Sequence, residues 1–306
     1  MQAVRIHSFG GTEVLTLEDV PKPEPGDYEV LVRVQAASVN PVDYKIRNGK
    51  YLPADQLPLT LGRDMCGTIE KCGRAVTGYS EGEAVYAMLP TDRGGYAEYV
   101  VANVAHCAPK PERLDPIQAA AVPLAALTAW QGLFDHGRLK GGQRVLVHGA
   151  AGGVGHFAVQ FAKAYGATVY ATCSEGDLEW VRSLGVDKAI DYKNQRFEDE
   201  VPEVDLVYDL VAGETQDRSW WVLKQGGILV STLTEPSADK AREHGAEGTR
   251  YTAHPDGRQL AEIGRLIDAG RVRVQVDKVF ALEEAAEAEH VLEDEHVRGK
   301  VVLKVA

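Results

Sequence analysis

A glycine-rich segment at residues 149–155 has the spacing that most directly indicates chemistry. It reads Gly-Ala-Ala-Gly-Gly-Val-Gly and lies between an apolar run at 144–148 and a segment with the apolar period of a helix. In such a strand–loop–helix unit, small residues let the backbone approach a pyrophosphate, which the helix N-terminus then holds. The residues predicted to contact a dinucleotide are Ala150, Gly152, Gly153, Val154 and Gly155. Ala150 replaces the usual first glycine. The alternative to a dinucleotide site is a glycine-rich turn that serves only tight packing of the strand on the helix.

The end of the next apolar run, residues 168–173, bears on which dinucleotide binds. NAD sites usually place Asp or Glu at this position, where the carboxylate holds the ribose 2′-hydroxyl. Here the position is Cys173, followed by Ser174. A small neutral residue leaves room for a 2′-phosphate, to which Ser174 and Tyr192 can donate hydrogen bonds. The sequence therefore favours NADPH, although Glu175 and the lack of an adjacent arginine weigh towards NADH.

The elements predicted around these motifs divide the chain into β-rich regions and a region of alternating strands and helices. The first 110 residues carry strands of two-residue period, such as 30–36, between frequent Pro and Gly breakers, which indicates a compact barrel-like β domain. From about residue 120, strands and helices alternate, which predicts an α/β fold with a doubly wound parallel sheet. Beyond the helix predicted at 256–269, strand character returns. Seven acids crowd residues 283–295, and we interpret them as the solvated face of a helix.

Composition limits the partners of the protein. The chain has 306 residues, enough for about two domains, and 33 Lys plus Arg against 45 Asp plus Glu give a net charge of −12. This balance disfavours nucleic acid and anionic membranes. No signal peptide or membrane-length apolar run is evident, so a cytoplasmic protein is expected. Four scattered cysteines are interpreted as reduced structural thiols.

Several motifs together resemble a known family. They are Ser38–Lys45, Leu61–Gly67, Gly94–Tyr99 and His296–Leu303, with the glycine loop. With these motifs the chain resembles the medium-chain dehydrogenase/reductase superfamily, and within it the zinc-free quinone oxidoreductases and enone reductases. The resemblance implies a discontinuous GroES-like catalytic domain (1–119 and 271–306), a Rossmann-like NADP-binding domain (120–270) and an active site in the cleft between them. It also implies a homodimer.

Zinc-dependent members of the superfamily supply catalytic ligands at three positions, which by resemblance fall on Asn40, Arg63 and Leu124. None of these suits zinc, which takes Cys, His or carboxylate ligands. The four-cysteine structural zinc lobe also has no counterpart, so no metal is expected. Arg63 departs from the apolar or small residue usual at its position. We interpret it as part of a surface salt bridge, with contact to an acidic substrate as the alternative.

The resemblance also implies roles for individual residues. Asn40, Asp43, Lys45 and Tyr51 fall on the segment at the mouth of the nicotinamide pocket, Thr128 beside the nicotinamide and Ala212 on a cofactor-contact loop. Lys45, by charge, and Tyr51, as a hydrogen-bond donor, are predicted to serve the acceptor's oxygen. The alternatives are a turn around residues 40–45, loop packing for Tyr51, and a helix threonine that bonds its own backbone.

The expected function is NADPH-dependent reduction of quinones or α,β-unsaturated carbonyls by zinc-independent hydride transfer, with a small-molecule substrate. Without a metal, the protein has only to orient the acceptor and stabilise the developing oxyanion. An enoyl-thioester reductase, or another zinc-free dehydrogenase of the superfamily, is the first alternative. A non-enzymatic binding protein on the same fold is the second, which the acidic charge and the intact glycine loop disfavour.

Overall fold

The computed structural model describes residues 1–306, which fold into two compact units. The first comprises residues 1–127, 254–270 and 274–306, and the second comprises 128–253 and 271–273. The first unit is therefore discontinuous in sequence. Compared with the predicted domain boundaries, residues 120–127 and 254–270 lie with the first unit and residues 271–273 with the second.

Sixteen strands form three sheets, two in the first unit and one in the second. The strands are β1 (Gln2–Ile6), β2 (Thr16–Asp19), β3 (Glu29–Val39), β4 (Leu59–Thr60), β5 (Asp64–Cys72), β6 (Ala84–Met88), β7 (Tyr99–Asn103), β8 (Cys107–Pro109), β9 (Arg144–His148), β10 (Thr168–Cys173), β11 (Lys188–Asp191), β12 (Val204–Asp209), β13 (Leu223–Ser231), β14 (Glu247–Arg250), β15 (Val276–Ala281) and β16 (Lys300–Lys304).

Ten α-helices accompany them, and none combines the length and apolar character that a membrane crossing requires. The helices are α1 (Pro41–Arg47), α2 (Pro116–Ala120), α3 (Pro123–Trp130), α4 (Gly155–Ala164), α5 (Leu178–Ser183), α6 (Phe197–Glu200), α7 (Gly213–Ser219), α8 (Ala238–Glu243), α9 (Gly257–Asp268) and α10 (Ala285–Asp294).

The second unit is a six-stranded parallel sheet in the order β11-β10-β9-β12-β13-β14. Counted from β9, this is the 3-2-1-4-5-6 order of a dinucleotide-binding sheet. The central strands are continuous apolar runs because both faces are covered, and Leu146, Val207 and Leu229 belong to one core cluster. The predicted doubly wound sheet is confirmed. This order brings the carboxyl ends of β9, β10 and β12 to one edge.

The first unit is built on a larger, mostly antiparallel sheet in the order β15-β16-β3-β5-β6-β8, with β7 also paired to β3. Along β3, Val30, Val32 and Val34 are fully buried while Arg33 is exposed, as the two-residue period predicts. Helix α9 belongs to this unit because the Tyr86 hydroxyl donates to the Leu260 carbonyl, at 2.7 Å.

The apolar period of the sequence after the glycine loop predicts that His156 and Gln160 lie on the polar face of α4. This prediction is wrong, because the two residues are 0% and 4% exposed. Gln160 is buried because its amide accepts from the Arg273 backbone N–H at 2.8 Å and donates to the Arg273 carbonyl at 3.0 Å. The segment at 271–273 thereby covers a polar position of the helix.

Candidate active site

The glycine loop joins β9 to α4 at the carboxyl edge of the parallel sheet. Gly149 takes a positive φ of 73°, and Ala150 is fully buried with its N–H bonded to the Thr172 carbonyl at 3.0 Å. A side chain at Gly155 is excluded, because its Cβ would lie 2.2 Å from the Gly149 carbonyl oxygen. The loop is thus closed tightly against the first turn of the helix.

The outer part of the same loop is open. A Cβ at Gly152 would meet only the Gly149 carbonyl oxygen, at 3.6 Å, and residues 152–154 are partly exposed. A helix of ten residues begins directly after them, so its N-terminal N–H groups and dipole face this open backbone. These features fit a pyrophosphate, which Gly152, Gly153 and Val154 would hold, while Ala150 is buried behind them.

The end of β10 lies beside the start of the segment after β11. The Tyr192 N–H donates to the Cys173 carbonyl at 3.2 Å, and the Tyr192 side chain is exposed. The Ser174 hydroxyl donates to the Asp177 carboxylate at 2.6 Å, and the Asp177 side chain is buried. Burial raises the pKa of the Cys173 thiol to about 11, so the thiol is neutral. The structure therefore groups Cys173, Ser174 and Tyr192 around a strand end without an exposed acid on the strand itself.

The two other predicted cofactor residues lie in different environments. Thr128 is 7% exposed in α3, and its carbonyl accepts from the hydroxyls of Tyr208, at 3.0 Å, and Tyr251. Ala212 follows β12 and adopts a φ of 65°, in the region that favours glycine. Its N–H donates to Asp209 at 2.8 Å.

In the first unit, Asn40 and Asp43 define the start of α1. The Asp43 carboxylate accepts from the Asn40 N–H at 2.8 Å, which satisfies a backbone donor at the helix N-terminus. Both side chains are buried, at 1% and 0% exposure. The structure therefore gives them a positioning role at α1, and direct contact with a substrate stays a prediction.

A buried network that sequence reasoning missed holds this segment from behind. The Asp64 carboxylate accepts from the Ser38 hydroxyl at 2.5 Å, the Asn40 amide at 2.8 Å and the Leu124 N–H at 2.7 Å. Lys300 completes the network by donating to the Asn40 amide oxygen at 2.5 Å. Burial lowers the pKa of Lys300 and raises that of Asp64, each opposed by the other's charge. Asp64 and Lys300 both lie in motifs that carry the family resemblance, Leu61–Gly67 and His296–Leu303, so the sequence did point to these two residues.

Lys45 and Tyr51 lie on and just beyond α1. Lys45 is partly buried, and burial, with the nearby charge of Lys50, lowers the pKa of its ammonium. The Lys50 N–H closes the turn on the Lys45 carbonyl at 2.9 Å. Tyr51 is 62% exposed and has a φ of 78°, unusual for an aromatic residue. Its exposure leaves the phenol accessible to a ligand.

Arg63 does not form the surface salt bridge that was expected. The residue is 9% exposed, and its Nε donates to the Leu89 carbonyl at 2.5 Å. Burial lowers the pKa of its guanidinium, while Asp43, Asp64 and Asp92 oppose this shift. The expectation was wrong because the start of β5 runs inside the unit, where the carbonyl at the end of β6 is the available partner.

The acidic stretch at 283–295 also differs from its prediction at one position. Glu289 is fully buried, and its carboxylate pairs with the Nη1 of buried Arg47 at 2.7 Å. The Nη2 of Arg47 pairs with Glu293 at 2.7 Å. Helix α10 is therefore tied to α1 by an internal arginine, and only part of its acidic surface is solvated.

No group of three or more His, Cys, Asp or Glu side chains is arranged to hold a metal ion. At the positions that by resemblance correspond to zinc ligands, Asn40 bonds Asp64, Arg63 bonds Leu89, and the Leu124 N–H bonds Asp64. The four cysteines are free, and Cys66, Cys107 and Cys173 are buried.

Comparison with known proteins places these features in a family. An alcohol dehydrogenase GroES-like domain matches residues 26–112, and a zinc-binding dehydrogenase domain matches residues 184–303. The 2-methylene-furan-3-one reductase of Solanum lycopersicum is 36% identical over 99% of this chain and 79% of its own. The chloroplastic NADPH-dependent alkenal/one oxidoreductase of Arabidopsis thaliana is 37% identical over the same shares.

A solved structure of similar sequence has the same fold as this chain. The quinone oxidoreductase from Coxiella burnetii superposes with a TM-score of 0.92 at 36% identity, covering 100% of this chain and 99% of that one. The GroES-like and Rossmann-like architecture predicted from the motifs is thereby confirmed. The chain belongs to the zinc-free quinone oxidoreductase and enone reductase family of the medium-chain dehydrogenase/reductase superfamily.

Proposed function

We propose that this protein reduces quinones or α,β-unsaturated carbonyls with NADPH, without zinc. The observation that carries the proposal is the glycine loop, closed at Gly155 and open at Gly152, at the start of α4 in a sheet of dinucleotide-binding order. Relatives named as enone and quinone reductases support the substrate class. The neutral end of β10 supports NADPH over NADH.

The chain's own residues have two tasks in this reaction. When bound, the nicotinamide supplies the hydride, and the acceptor's oxygen gains negative charge. Lys45 stabilises that charge and, with its lowered pKa, is a suitable proton donor to it. Tyr51 donates a second hydrogen bond. The network of Asp64, Asn40 and Lys300 fixes the segment that carries both residues.

Wider features of the protein are part of the same proposal. It acts in the cytoplasm on a small molecule, as a homodimer, and does not bind nucleic acid or membranes. The net charge of −12 supports the last point, because clustered cations are what such polyanions bind. Size-exclusion chromatography with light scattering tests the dimer.

The test is NADPH oxidation against a panel of quinones, enals, enones and enoyl-thioesters. Turnover of the first three classes is expected, while preference for thioesters, or no turnover with a nucleic-acid shift, would contradict the proposal. Lys45→Met should lower kcat for an enone by up to about 10²-fold, the scale of a lost oxyanion donor, with little change in KM. Lys304→Met is the matched control, because it removes an exposed cation of the same unit that lies outside α1 and the turn after it, and it should leave kcat near wild type.

A further inference from the structure

The turn after β12 is strained at a residue that is not glycine. Ala212 has φ 65° and ψ −164°, a region of backbone conformation that is essentially restricted to glycine. Gly213 follows, also with a positive φ, of 61°. Such a conformation persists only where the surrounding structure imposes it, so the turn at 210–213 must be held by its neighbours.

Asp209, the last residue of β12, supplies those constraints. Its Oδ1 accepts from the N–H groups of Val211, at 3.0 Å, and Ala212, at 2.8 Å. Its Oδ2 accepts from the Gln216 amide at 3.0 Å and the Ser231 hydroxyl at 2.9 Å. The residue is fully buried, and a carboxylate can accept all of these bonds because it has two oxygens and no donor.

The turn lies against the glycine loop. A Cβ at Gly149 would be 3.4 Å from Val211 Cγ2 and 3.7 Å from Leu210 Cβ. Val211 itself is 49% exposed, so part of its side chain is open to solvent beside Gly149. A shift of the turn would therefore change the surface that borders the pyrophosphate cradle.

We propose that Asp209 is a positioning residue for NADPH, which acts by holding the turn at 210–213 in its strained conformation against Gly149. Asp209 is fully buried beneath the turn, so its own side chain is not accessible to a cofactor. The inference rests on the proposed dinucleotide site. It predicts that loss of Asp209 weakens NADPH binding by more than the accompanying loss of stability explains.

Asp209→Ala tests this against Asp205→Ala, a matched control at the opposite end of the same strand. Asp205 likewise accepts from a backbone N–H, that of Arg144 at 2.8 Å, and from side chains, but far along the strand from the glycine loop. The readouts are the NADPH dissociation constant, from fluorescence titration, and the melting temperature. We expect both variants to melt earlier, and only Asp209→Ala to bind NADPH weaker, by roughly tenfold.

A double-mutant cycle with Ala212→Gly separates positioning from general damage. Glycine adopts the turn conformation without strain, so the turn has less tendency to leave it when Asp209 is lost. The effect of Asp209→Ala on NADPH affinity should therefore shrink from roughly tenfold to about threefold in the Ala212→Gly background. The same effect in both backgrounds would overturn the proposal.

Should Asp209→Ala fail to fold, Asp209→Asn decides instead. Its amide oxygen can keep the two backbone bonds, while its nitrogen cannot accept from Gln216 or Ser231. A weakening of about threefold is therefore expected, again reduced in the Ala212→Gly background. Equal affinity in Asp209→Asn and wild type would then refute the role. Failure of the wild-type protein to bind NADPH would refute the proposed function itself, a different outcome from equal affinities in the Asp209 and Asp205 variants.

Discussion

The buried cluster between α1 and α10 predicts an unusual dependence of stability on pH. Arg47 is shared by Glu289 and Glu293, and the Asp43 carboxylate belongs to the same cluster. Asp43 Oδ1 and Glu289 Oε1 are buried without a hydrogen-bond partner. Burial, together with the charge of Asp43, raises the pKa of Glu289 to about 8. Burial likewise raises the pKa of Asp43 to about 7.

The direction in which stability changes with pH depends on whether the folded or the unfolded state binds the proton more tightly. Glu289 has an ordinary pKa of 4.5 and a folded pKa of about 8, so between these values the folded state binds a proton that the unfolded state has released. Stability from this group is complete below about pH 4.5 and is lost as the pH rises through about 8. One proton changes the free energy of unfolding by about 1.4 kcal/mol per pH unit.

Glu289→Gln should remove the part of this dependence that comes from Glu289, while the part that comes from Asp43 remains. The amide keeps an oxygen for Arg47 and, like the protonated carboxyl, is uncharged and offers a hydrogen-bond donor, so the variant should match wild type near pH 5 and exceed it near pH 8. Unfolding by urea is measured from pH 5 to 8.5 by far-UV circular dichroism. Tryptophan fluorescence would report only on the second unit, because all four tryptophans lie there. Glu287→Gln, on the exposed face of α10, is the control and should keep the wild-type slope. A slope in Glu289→Gln equal to that of wild type would refute the reasoning.

Three further predictions concern the candidate site. Cys173→Asp should lower the NADPH-to-NADH affinity ratio by at least tenfold, since it sets a carboxylate against the 2′-phosphate, whereas Cys173→Ser should not; fluorescence titration with both cofactors checks this. An unchanged ratio, or equally tight NADH binding by the wild type, would contradict it. Activity should survive prolonged chelation, and stoichiometric zinc by elemental analysis that is lost together with activity would show the opposite. Tyr51→Phe should bind NADPH normally and reduce enones more slowly than wild type, with a smaller loss for quinones; wild-type kcat for an enone would return Tyr51 to a packing role.

Much of the second unit could be predicted because its signals are local. The strand at 144–148, the glycine loop and the helix after it follow one another in sequence, and each constrains its neighbour. The same locality predicted the strand at 168–173 and its neutral end. The parallel, doubly wound character of the sheet followed from the alternation of strands and helices.

The errors arose where burial depends on partners distant in sequence. Glu289 looks like one of many solvated acids until Arg47, 242 residues earlier, is known to face it. Lys300 and Asn40 are separated by 260 residues, so neither periodicity nor spacing could pair them. Arg63 was assigned to the surface because arginine is rarely buried unless it is paired, and its partner is a backbone carbonyl that sequence does not reveal.

The two units use the same device to position exposed groups. In each, a fully buried aspartate at a strand end gathers several donors: Asp64 at the start of β5 and Asp209 at the end of β12. Each carboxylate holds a short segment near an exposed side chain, which is Tyr51, 62% exposed beyond α1, in one unit and Val211, 49% exposed, in the other. Buried carboxylates that accept several bonds tolerate little change, since removing one leaves several buried donors unpaired. Exposed residues near these segments carry no such penalty, so they can be substituted while the buried frame stays the same.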